Sequence, residues 1–474
     1  MHLDRRTFLK CLGAAAGAGL VGGGGRSARA GILADPVSIL VLDFVGGWDV
    51  HATFAARTHP DINAHGIYTG ADMGIIRTSK VLFTGRDSVV NLDSHSWGAR
   101  IPGFESAARS WSLIGAMRHA ETFATDDHVQ TARMAGTGFQ DRIDAPGLGT
   151  VIAMNAPETM QAPPAIVIDP GFASLQMAAA PGSYQPYGPL VVSHRSLPVS
   201  AGDAPPVWTR TEDAIDLGGR SGRRSLGLGK LELLARQKKA FHRYREFFTD
   251  PAIAVSNDAH ASARYAKGVL GSGSPTTTQL LEAFGGSGYG DEYGMALALR
   301  CLEGGSRFVA VGLGLSYPAS YAHDTHTHEA TSDALYVHDA QILAGVTYAL
   351  TKLGLDRKVL VVGLSEMARS PYANGMWNEA GGTDHGLIGL TTPKGMHGSN
   401  RQSVLLAHGP IVPGREAYPA DPEYGDPIGN ACITGELLAM LAECAGVART
   451  DHPWNVSPGG APLSADALAR SLLQ

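Results

Sequence analysis

One short stretch of the sequence concentrates residue types that bind metal ions. The segment "YAHDTHTHEA", residues 321–330, holds three histidines and one aspartate within six positions. Imidazole nitrogens and carboxylate oxygens together suit Zn²⁺, and with further oxygens they suit Mn²⁺, Mg²⁺ or Ca²⁺. The segment therefore predicts a metal-binding loop built on Asp324 with His326 or His328. His323, which precedes the aspartate, is the weakest candidate ligand of the three histidines. A polar loop without metal is the alternative interpretation.

Other candidate ligands lie at the ends of apolar runs elsewhere in the chain or in the loops that follow them. They are Asp43, Asp49, Glu366, Asp384 and His385. Each residue alone has an ordinary structural explanation, and Glu366, for example, could pair with Arg369. Together they are more informative, because the carboxyl ends of parallel strands meet at one edge of a sheet. The pattern predicts one site at that edge, with one or two divalent metal ions.

Six apolar runs are the elements that would position these residues. Each run is continuously apolar rather than alternating, which is typical of strands buried on both faces. A helix is predicted at residues 332–354, where apolar side chains recur at helical spacing. This alternation predicts a three-layer α/β/α fold with a mainly parallel sheet. The predicted strands are residues 38–44, 111–117, 165–169, 307–315, 358–366 and 403–409.

The middle of the chain has a different character. Residues 171–225 are rich in proline, glycine, serine and other polar residues, and a basic amphipathic helix is predicted at residues 230–248. The charges of that helix are typical of a solvated face. We therefore predict a single domain over residues 31–474, with a cap or insertion at about residues 180–290.

The N-terminus is typical of an export signal. Arg5 and Arg6 precede "TFLK", a short Ala/Gly-rich apolar run and an A-x-A cleavage site that ends at Ala30. This order predicts a twin-arginine signal peptide over residues 1–30, recognised by the twin-arginine translocase, and a periplasmic or secreted mature protein. That route carries folded proteins. An uncleaved anchor or a fortuitous arginine pair is the alternative, but the apolar run is too short to span a bilayer.

Charge and cysteine content exclude several classes of protein. The whole chain has a formal net charge of −6, and the first 30 residues carry five basic side chains against one acidic one, so the mature chain is more acidic still. Nucleic-acid binding, which needs a basic surface, is therefore not expected. After cleavage three cysteines remain, too few for a disulfide scaffold. No further segment is apolar enough to predict a transmembrane helix.

Five motifs in order carry a resemblance to a known family. "RRTFLK", "GGWD" after the first strand, "DTH" after a later strand, "SEMARSP" and "GTDHG" resemble the exported bacterial family catalogued as domain of unknown function 1501. That family is placed in the alkaline phosphatase and sulfatase-like clan. The resemblance implies an alkaline-phosphatase-like fold. It also implies two divalent metals at the strand ends, which promote hydrolysis of a phosphate or sulfate ester.

The resemblance also implies metal-ligand positions, with alternatives. Asp43 matches the aspartate of the clan's first strand, whereas the family's own motif points to Asp49. Asp324 pairs with His328 in the clan's spacing and with His326 in the family's. For the remaining ligands there are two alignments. One takes Glu366 with His385, and the other takes Asp384 and His385 with His397.

The segment "FATDDHVQTARMAGTG", residues 123–138, resembles the nucleophile segment of the clan. Where the clan has serine this chain has Asp127 or His128, and Thr125 and Thr131 are the neighbouring hydroxyls. A water activated by metal could replace the nucleophile, with His128 as a base or a further ligand. A helix start capped by Thr125 or Asp126 is the structural alternative.

Two functional interpretations follow. The first is an exported, metal-dependent hydrolase that acts on a phosphate or sulfate ester of a small molecule or a polymer. The second is an exported binding or assembly protein that keeps the fold without the chemistry, and the absent serine is the reason for considering it. A redox enzyme is not expected, because the chain lacks a cysteine cluster and a dinucleotide fingerprint.

Overall fold

The computed structural model describes about half of the chain. Most of the predicted cap, all of residues 1–30 and the predicted helix at residues 230–248 lie outside the described residues. The predicted signal peptide and domain limits therefore stay predictions. The described residues are 32–48, 110–119, 128–139, 142–158, 160, 162–192, 277–284, 291–314, 323, 330–367, 402–419, 428–454 and 465–473.

The described strands form one nine-stranded sheet. They are β1 (Ser38–Phe44), β2 (Trp111–Arg118), β3 (Ala165–Ile168), β4 (Leu190–Val192), β5 (Phe308–Leu313), β6 (Val359–Leu364), β7 (Gln402–His408), β8 (Glu416–Ala417) and β9 (Cys432–Ile433). Their order is β4-β3-β5-β1-β6-β7-β2-β8, and β9 also pairs with β2. The six predicted strands agree with β1, β2, β3, β5, β6 and β7 within two residues at each end.

Most of the sheet is parallel, as predicted. Strand β1 lies between β5 and β6 and is parallel to both. Strand β7 is antiparallel to β6 and to β2. The carboxyl ends of β1, β6 and β2 therefore lie at the same edge of the sheet, and β7 ends at the opposite edge. The predicted class of mainly parallel α/β sheet is confirmed.

Helices cover both faces of the sheet. They are α1 (His128–Thr137), α2 (Leu148–Met154), α3 (Phe172–Met177), α4 (Thr277–Ala283), α5 (Asp291–Glu303), α6 (Ala330–Lys352), α7 (Thr434–Cys444) and α8 (Ala465–Leu472). Helix α2 packs on the face that carries Phe308, because a Cβ at Gly149 would lie 2.8 Å from that ring. Helix α5 packs on the other face, where a Cβ at Gly294 would lie 3.3 Å from Val311.

The strands have the composition that this burial requires. Every residue of β5 and β6 is buried, and so is every residue of β1 after Ser38. A strand covered by helices on both sides has no solvated face, so valine, isoleucine and leucine follow one another without alternation. The predicted helix at residues 332–354 is confirmed as α6, shifted by two residues.

Two further observations concern the cysteines and the helices. Cys301, Cys432 and Cys444 are buried free thiols. None of the helices in the described ranges is long and apolar enough to cross a membrane.

Candidate active site

Asp43 is a fully buried carboxylate near the carboxyl end of β1. The backbone N–H of Ser174, in the first turn of α3, donates to its Oδ2 at 2.7 Å. Its Oδ1 has no hydrogen-bond partner in the described part of the chain. Burial, followed by the charge of Glu366, raises the pKa of Asp43 to about 7. One oxygen of this carboxylate is therefore anchored, and for the other the described residues supply no donor of the kind that a buried carboxylate requires.

Glu366 is also fully buried and lies two residues beyond β6. Its Oε1 accepts the backbone N–H of Gly46 at 2.9 Å and faces Nδ1 of His128 at 2.9 Å. Its Oε2 lies 2.9 Å from the hydroxyl of Ser365, whose closer acceptor is the Phe44 carbonyl at 2.6 Å. Since β1 and β6 are parallel neighbours, the two carboxylates lie at the same edge of the sheet. The charge of Glu366 therefore contributes to the raised pKa of Asp43.

The two glycines of "GGWD" make this arrangement possible. Gly46 and Gly47 have φ angles of 112° and 105°, which favour glycine because it lacks a Cβ. In this conformation the Gly46 N–H points at Glu366, and the Gly47 N–H donates to Oγ of Ser365 at 3.1 Å. The turn after β1 is therefore fastened to the end of β6.

His128 is the first residue of α1 and is partly accessible, with 21% of its side chain exposed. A carboxylate oxygen only accepts, so the proton of the neutral ring lies on Nδ1, which faces Glu366. Nε2 is then the nitrogen that can take up a proton or bind a metal. Helix α1 packs closely on α3, since a Cβ at Gly136 would lie 2.6 Å from that of Gln176.

His323 is buried beside the turn after β1. Its backbone N–H donates to the Val45 carbonyl at 3.2 Å, and its ring lies edge-on to Phe44. Nε2 of His323 is 3.0 Å from both carboxylate oxygens of Asp339, on α6. His323 is therefore tied both to the turn after β1 and to α6.

A second histidine and carboxylate pair adjoins the first. His338, next to Asp339 on α6, faces Asp291 at 3.2 Å, and Asp291 also accepts the Gly314 N–H at 2.8 Å. Burial alone would lower the pKa of His338. The bond to Asp291 and the charges of Asp291, Asp339 and Glu292 outweigh that effect and raise it. This buried network ties α5 and α6 to the end of β5.

His119 is a buried histidine that follows β2 directly. Its Nε2 is 2.8 Å from the backbone carbonyl of Glu366, and its Nδ1 is 3.1 Å from Oγ1 of Thr434. Burial lowers its pKa to about 4, so the ring is neutral near pH 7. His119 therefore contacts the same residue as His128, but through the main chain.

The structure thus brings together three of the predicted site residues, Asp43, Glu366 and His128. The other seven lie outside the described residues, and their roles stay predictions. Sequence reasoning did not select His119, Asp339 or Ser174, although His119 could have been noticed as the second of the two polar residues that follow the apolar run at 111–117. The seven are Asp49, Thr125, Asp324, His326, His328, Asp384 and His385.

A family model described as "Protein of unknown function (DUF1501)" matches residues 91–392, more than half of the chain. The chain belongs to this family. The family predicted from the five motifs is therefore confirmed. No curated protein matches the sequence of this family member.

Among solved structures, this DUF1501 chain is similar to sulfatases and to an alkaline phosphatase. The PsFucS1 sulfatase from Pseudoalteromonas sp. is 10% identical, with a TM-score of 0.38 over 89% of this chain and 70% of that one. Ps i-CgsB in complex with k-i-k-neocarrahexaose is 11% identical, with a TM-score of 0.35 over 87% and 72%. The alkaline phosphatase from the Antarctic bacterium TAB5 is 12% identical, with a TM-score of 0.40 over 87% and 99%.

The described residues fit part of a metal site. Among them no group of three or more potential ligands clusters as a metal site would require. The buried pair Asp43 and Glu366, however, has the chemistry of a partial ligand set. Two carboxylates repel each other when both are ionised, and a divalent cation removes that repulsion. Oδ1 of Asp43 is the buried oxygen that such a cation would satisfy.

Proposed function

We propose that the protein is an exported, divalent-metal-dependent hydrolase of a phosphate or sulfate ester. The observation that supports it most is the pair of fully buried carboxylates, Asp43 and Glu366, at the carboxyl ends of two neighbouring parallel strands. Sites in open α/β sheets form at that edge. The ester class rests on the order of motifs along the sequence.

Asp43 and Glu366 are the described residues that would hold the metal. A bound divalent ion, Zn²⁺, Mn²⁺, Mg²⁺ or Ca²⁺, would neutralise charge on the transferred group and lower the pKa of a bound water. One or two ions fit the proposal, with Asp324, His326, His328, Asp384 and His385 as the remaining proposed ligands. Asp49 is the alternative to Asp43 in the first-strand position.

His128 is the proposed proton acceptor. Its Nδ1–H is directed at Glu366, so the ring is held in one orientation with the basic nitrogen at Nε2. A histidine oriented by a carboxylate can take a proton from an attacking water. This role would replace the hydroxyl nucleophile of the clan, and Thr125 is the alternative nucleophile. The proposed substrate is an ester of a small molecule or a polymer.

The test combines metal analysis with activity. Protein matured in the periplasm is analysed for bound metal and assayed on aryl phosphate and aryl sulfate esters with each of the four metals. We expect at least about one equivalent of divalent metal and hydrolysis of one ester class. Asp43→Asn should lose both metal and activity, whereas His128→Asn should keep the metal and lose activity. Folded wild-type protein that binds no metal would contradict the proposal.

A binding or assembly protein is the second candidate, and one observation favours it. Oε1 of Glu366 already accepts the Gly46 N–H and faces Nδ1 of His128, so this oxygen is satisfied without a metal ion. Under this alternative, wild-type protein with full metal content would hydrolyse neither ester. Activity that is lost in His128→Asn while the fold is kept would exclude it.

Export is the remaining part of the proposal. Arg5 and Arg6 form the pair that the translocase would recognise. Replacing both by lysine keeps the charge and removes the guanidinium pair. We expect the variant to stay in the cytoplasm with its leader attached, as followed by cell fractionation and mass spectrometry. Export of the double variant at the wild-type level would contradict twin-arginine targeting.

A further inference from the structure

His119 links two parts of the sheet that are not hydrogen-bonded neighbours. It follows β2, whereas Glu366 follows β6, and β7 lies between those strands. Strand β7 begins at Gln402, which pairs with Met117 two positions before His119. The imidazole therefore extends past the start of β7 and reaches the Glu366 carbonyl at 2.8 Å. The site is joined in this way to the β2 side of the sheet.

The hydrogen-bond partners of His119 determine where its proton lies. The Glu366 carbonyl can only accept, so Nε2 carries the hydrogen. In the neutral ring Nδ1 is then an acceptor, and the Thr434 hydroxyl, 3.1 Å away, donates to it. The other acceptor near that hydroxyl, the Arg118 carbonyl, is more distant at 3.3 Å. The geometry defines a directed chain from Thr434 through His119 to Glu366.

This chain acts on the main chain of Glu366, whose side-chain charge raises the pKa of Asp43. The Glu366 carboxylate is fixed by Gly46, His128 and Ser365, but each of these contacts depends on where the end of β6 lies. Beyond Leu364 the strand pairing of β6 ends. The His119 bond supports the backbone at the point where the sheet no longer does.

We propose that His119 is a positioning residue: as the Nε2–H tautomer held by Thr434, it fixes the Glu366 backbone so that the Glu366 carboxylate can share a divalent metal with Asp43. The inference rests on the proposed function, since it concerns the same site. It assigns His119 no contact with the metal or the substrate.

Two substitutions separate the two ring nitrogens. In His119→Gln the amide nitrogen reaches about as far as Nε2 and can still donate to the Glu366 carbonyl. In His119→Asn it reaches only about as far as Nδ1, and the bond to Glu366 is lost. Outer contacts of this kind typically change metal affinity by about 10- to 100-fold. We expect His119→Asn to weaken binding of the metal within that range, and His119→Gln to stay within about threefold of wild type.

His408 provides a matched control at the opposite edge of the sheet. It is a mostly buried histidine bonded to a threonine hydroxyl, that of Thr347, and burial lowers its pKa to about 4 as well. His408→Asn should lower the midpoint of urea unfolding without changing metal affinity. His119→Asn could instead behave like His408→Asn, losing stability while its metal affinity stays within about twofold of wild type. That result would overturn the positioning role.

A spectroscopic measurement separates this inference from the proposed function. Nitrogen NMR of histidine-labelled wild-type protein, with His119→Gln for assignment, should show a protonated Nε2 and an unprotonated Nδ1 at His119. A protonated Nδ1 would overturn the inference even if metal binds. If wild-type protein binds no metal, the proposed function fails. The metal-sharing part of the inference then fails as well. A protonated Nε2 of His119 would still support its bond to Glu366, and a protonated Nδ1 would contradict it.

Discussion

At the scale of single residues, the least ordinary feature is a buried carboxylate with one oxygen that finds no hydrogen-bond partner among the described residues. Asp43 is fully buried, and within the described ranges its Oδ2 accepts the Ser174 N–H while its Oδ1 accepts no hydrogen bond. Transfer of a charged group from water into such surroundings is costly unless it is paired. The protein must therefore hold a proton there, or a cation must compensate the charge. The choice depends on pH and on metal.

The first prediction concerns the stability of the protein without metal. An aspartate in an unfolded chain has a pKa near 3.9, whereas that of Asp43 is raised to about 7 by burial and by Glu366. The folded state binds the proton more tightly, so this contribution to stability is complete below about pH 4 and is lost as pH rises through 7.

An asparagine at position 43 is neutral at every pH, because its side chain has no carboxyl proton to lose. In chelator we expect Asp43→Asn to exceed wild type in unfolding free energy at pH 8, by about 4 kcal/mol at most. The difference should nearly vanish at pH 4. Urea unfolding at both pH values measures it, and a difference independent of pH would contradict the assignment.

The second prediction concerns Gly171, whose φ is ordinary but whose surroundings leave no space. A Cβ there would lie 2.2 Å from Cγ2 of Val45 and 2.6 Å from Oδ2 of Asp43. We expect Gly171→Ala to cost about 1–3 kcal/mol of stability through overpacking and to weaken metal binding, because it displaces the carboxylate.

Gly363→Ala is the matched control. Gly363 is buried in β6, and the Cβ of an alanine there would lie 3.5 Å from its nearest neighbours, which is an ordinary contact. Chemical denaturation and metal titration of both variants provide the comparison. Equal effects of the two substitutions would show that the close approach at Gly171 does not matter.

At the scale of elements, α1 is held at both ends. His128 at its start contacts Glu366, and the carbonyl of Thr137 at its end accepts Nε1–H of Trp454 at 2.6 Å. Trp454 is almost fully buried, and Gly138 has a φ of 75° where the chain turns beside its ring. The position of His128 is therefore coupled to a residue close to the C-terminal end of the chain.

Trp454→Phe tests this coupling. The Thr137 carbonyl would be left buried without its donor, which costs about 1–3 kcal/mol. Trp111→Phe is the control, because Trp111 is fully buried and its Nε1 has no hydrogen-bond partner in the ranges described. We expect Trp454→Phe to be the less stable variant and to speed amide exchange at the end of α1. The opposite order of stability would contradict the role of this bond.

The sequence predicted those elements that are long enough, and buried evenly enough, to give a clear apolar pattern. Strand β1 was predicted with its observed bounds because a strand covered on both faces needs an unbroken apolar run. Strands β8 and β9 have two residues each, too few for any pattern, and they exist only because β2 offers them a partner. Helix α3 is likewise too short for helical periodicity to be visible.

The site was predictable only where the rule of strand ends applies. That rule brought together Asp43 and Glu366, which lie at the carboxyl ends of neighbouring parallel strands. The pairing of His323 with Asp339 depends on how α6 packs, and the contact of His119 with Glu366 depends on the antiparallel insertion of β7. Both contacts depend on tertiary packing, so the spacing of residues along the chain does not predict them.

At the scale of the whole molecule, the proposed metal should stabilise the fold by mass action. A ligand that binds only the folded state adds about 2.7 kcal/mol at one hundred times its Kd. We therefore expect chelator to lower the Tm of wild-type protein, and metal to restore it. Asp43→Asn should show neither change. Equal shifts of Tm in wild type and Asp43→Asn would mean that the metal acts elsewhere.

The central place of β1 has a consequence for the order of events in the cell. More than half of the chain separates β1 from β5 and β6, the two strands that flank it. Contacts between such distant segments form late, and parallel pairing of this kind is slow. During synthesis β1 must wait for its first neighbour until β5 has left the ribosome, and Asp43 and Glu366 meet only after β6 has followed. On the proposed export route, which carries folded proteins, the cytoplasm rather than the periplasm would then determine which metal the site encounters first.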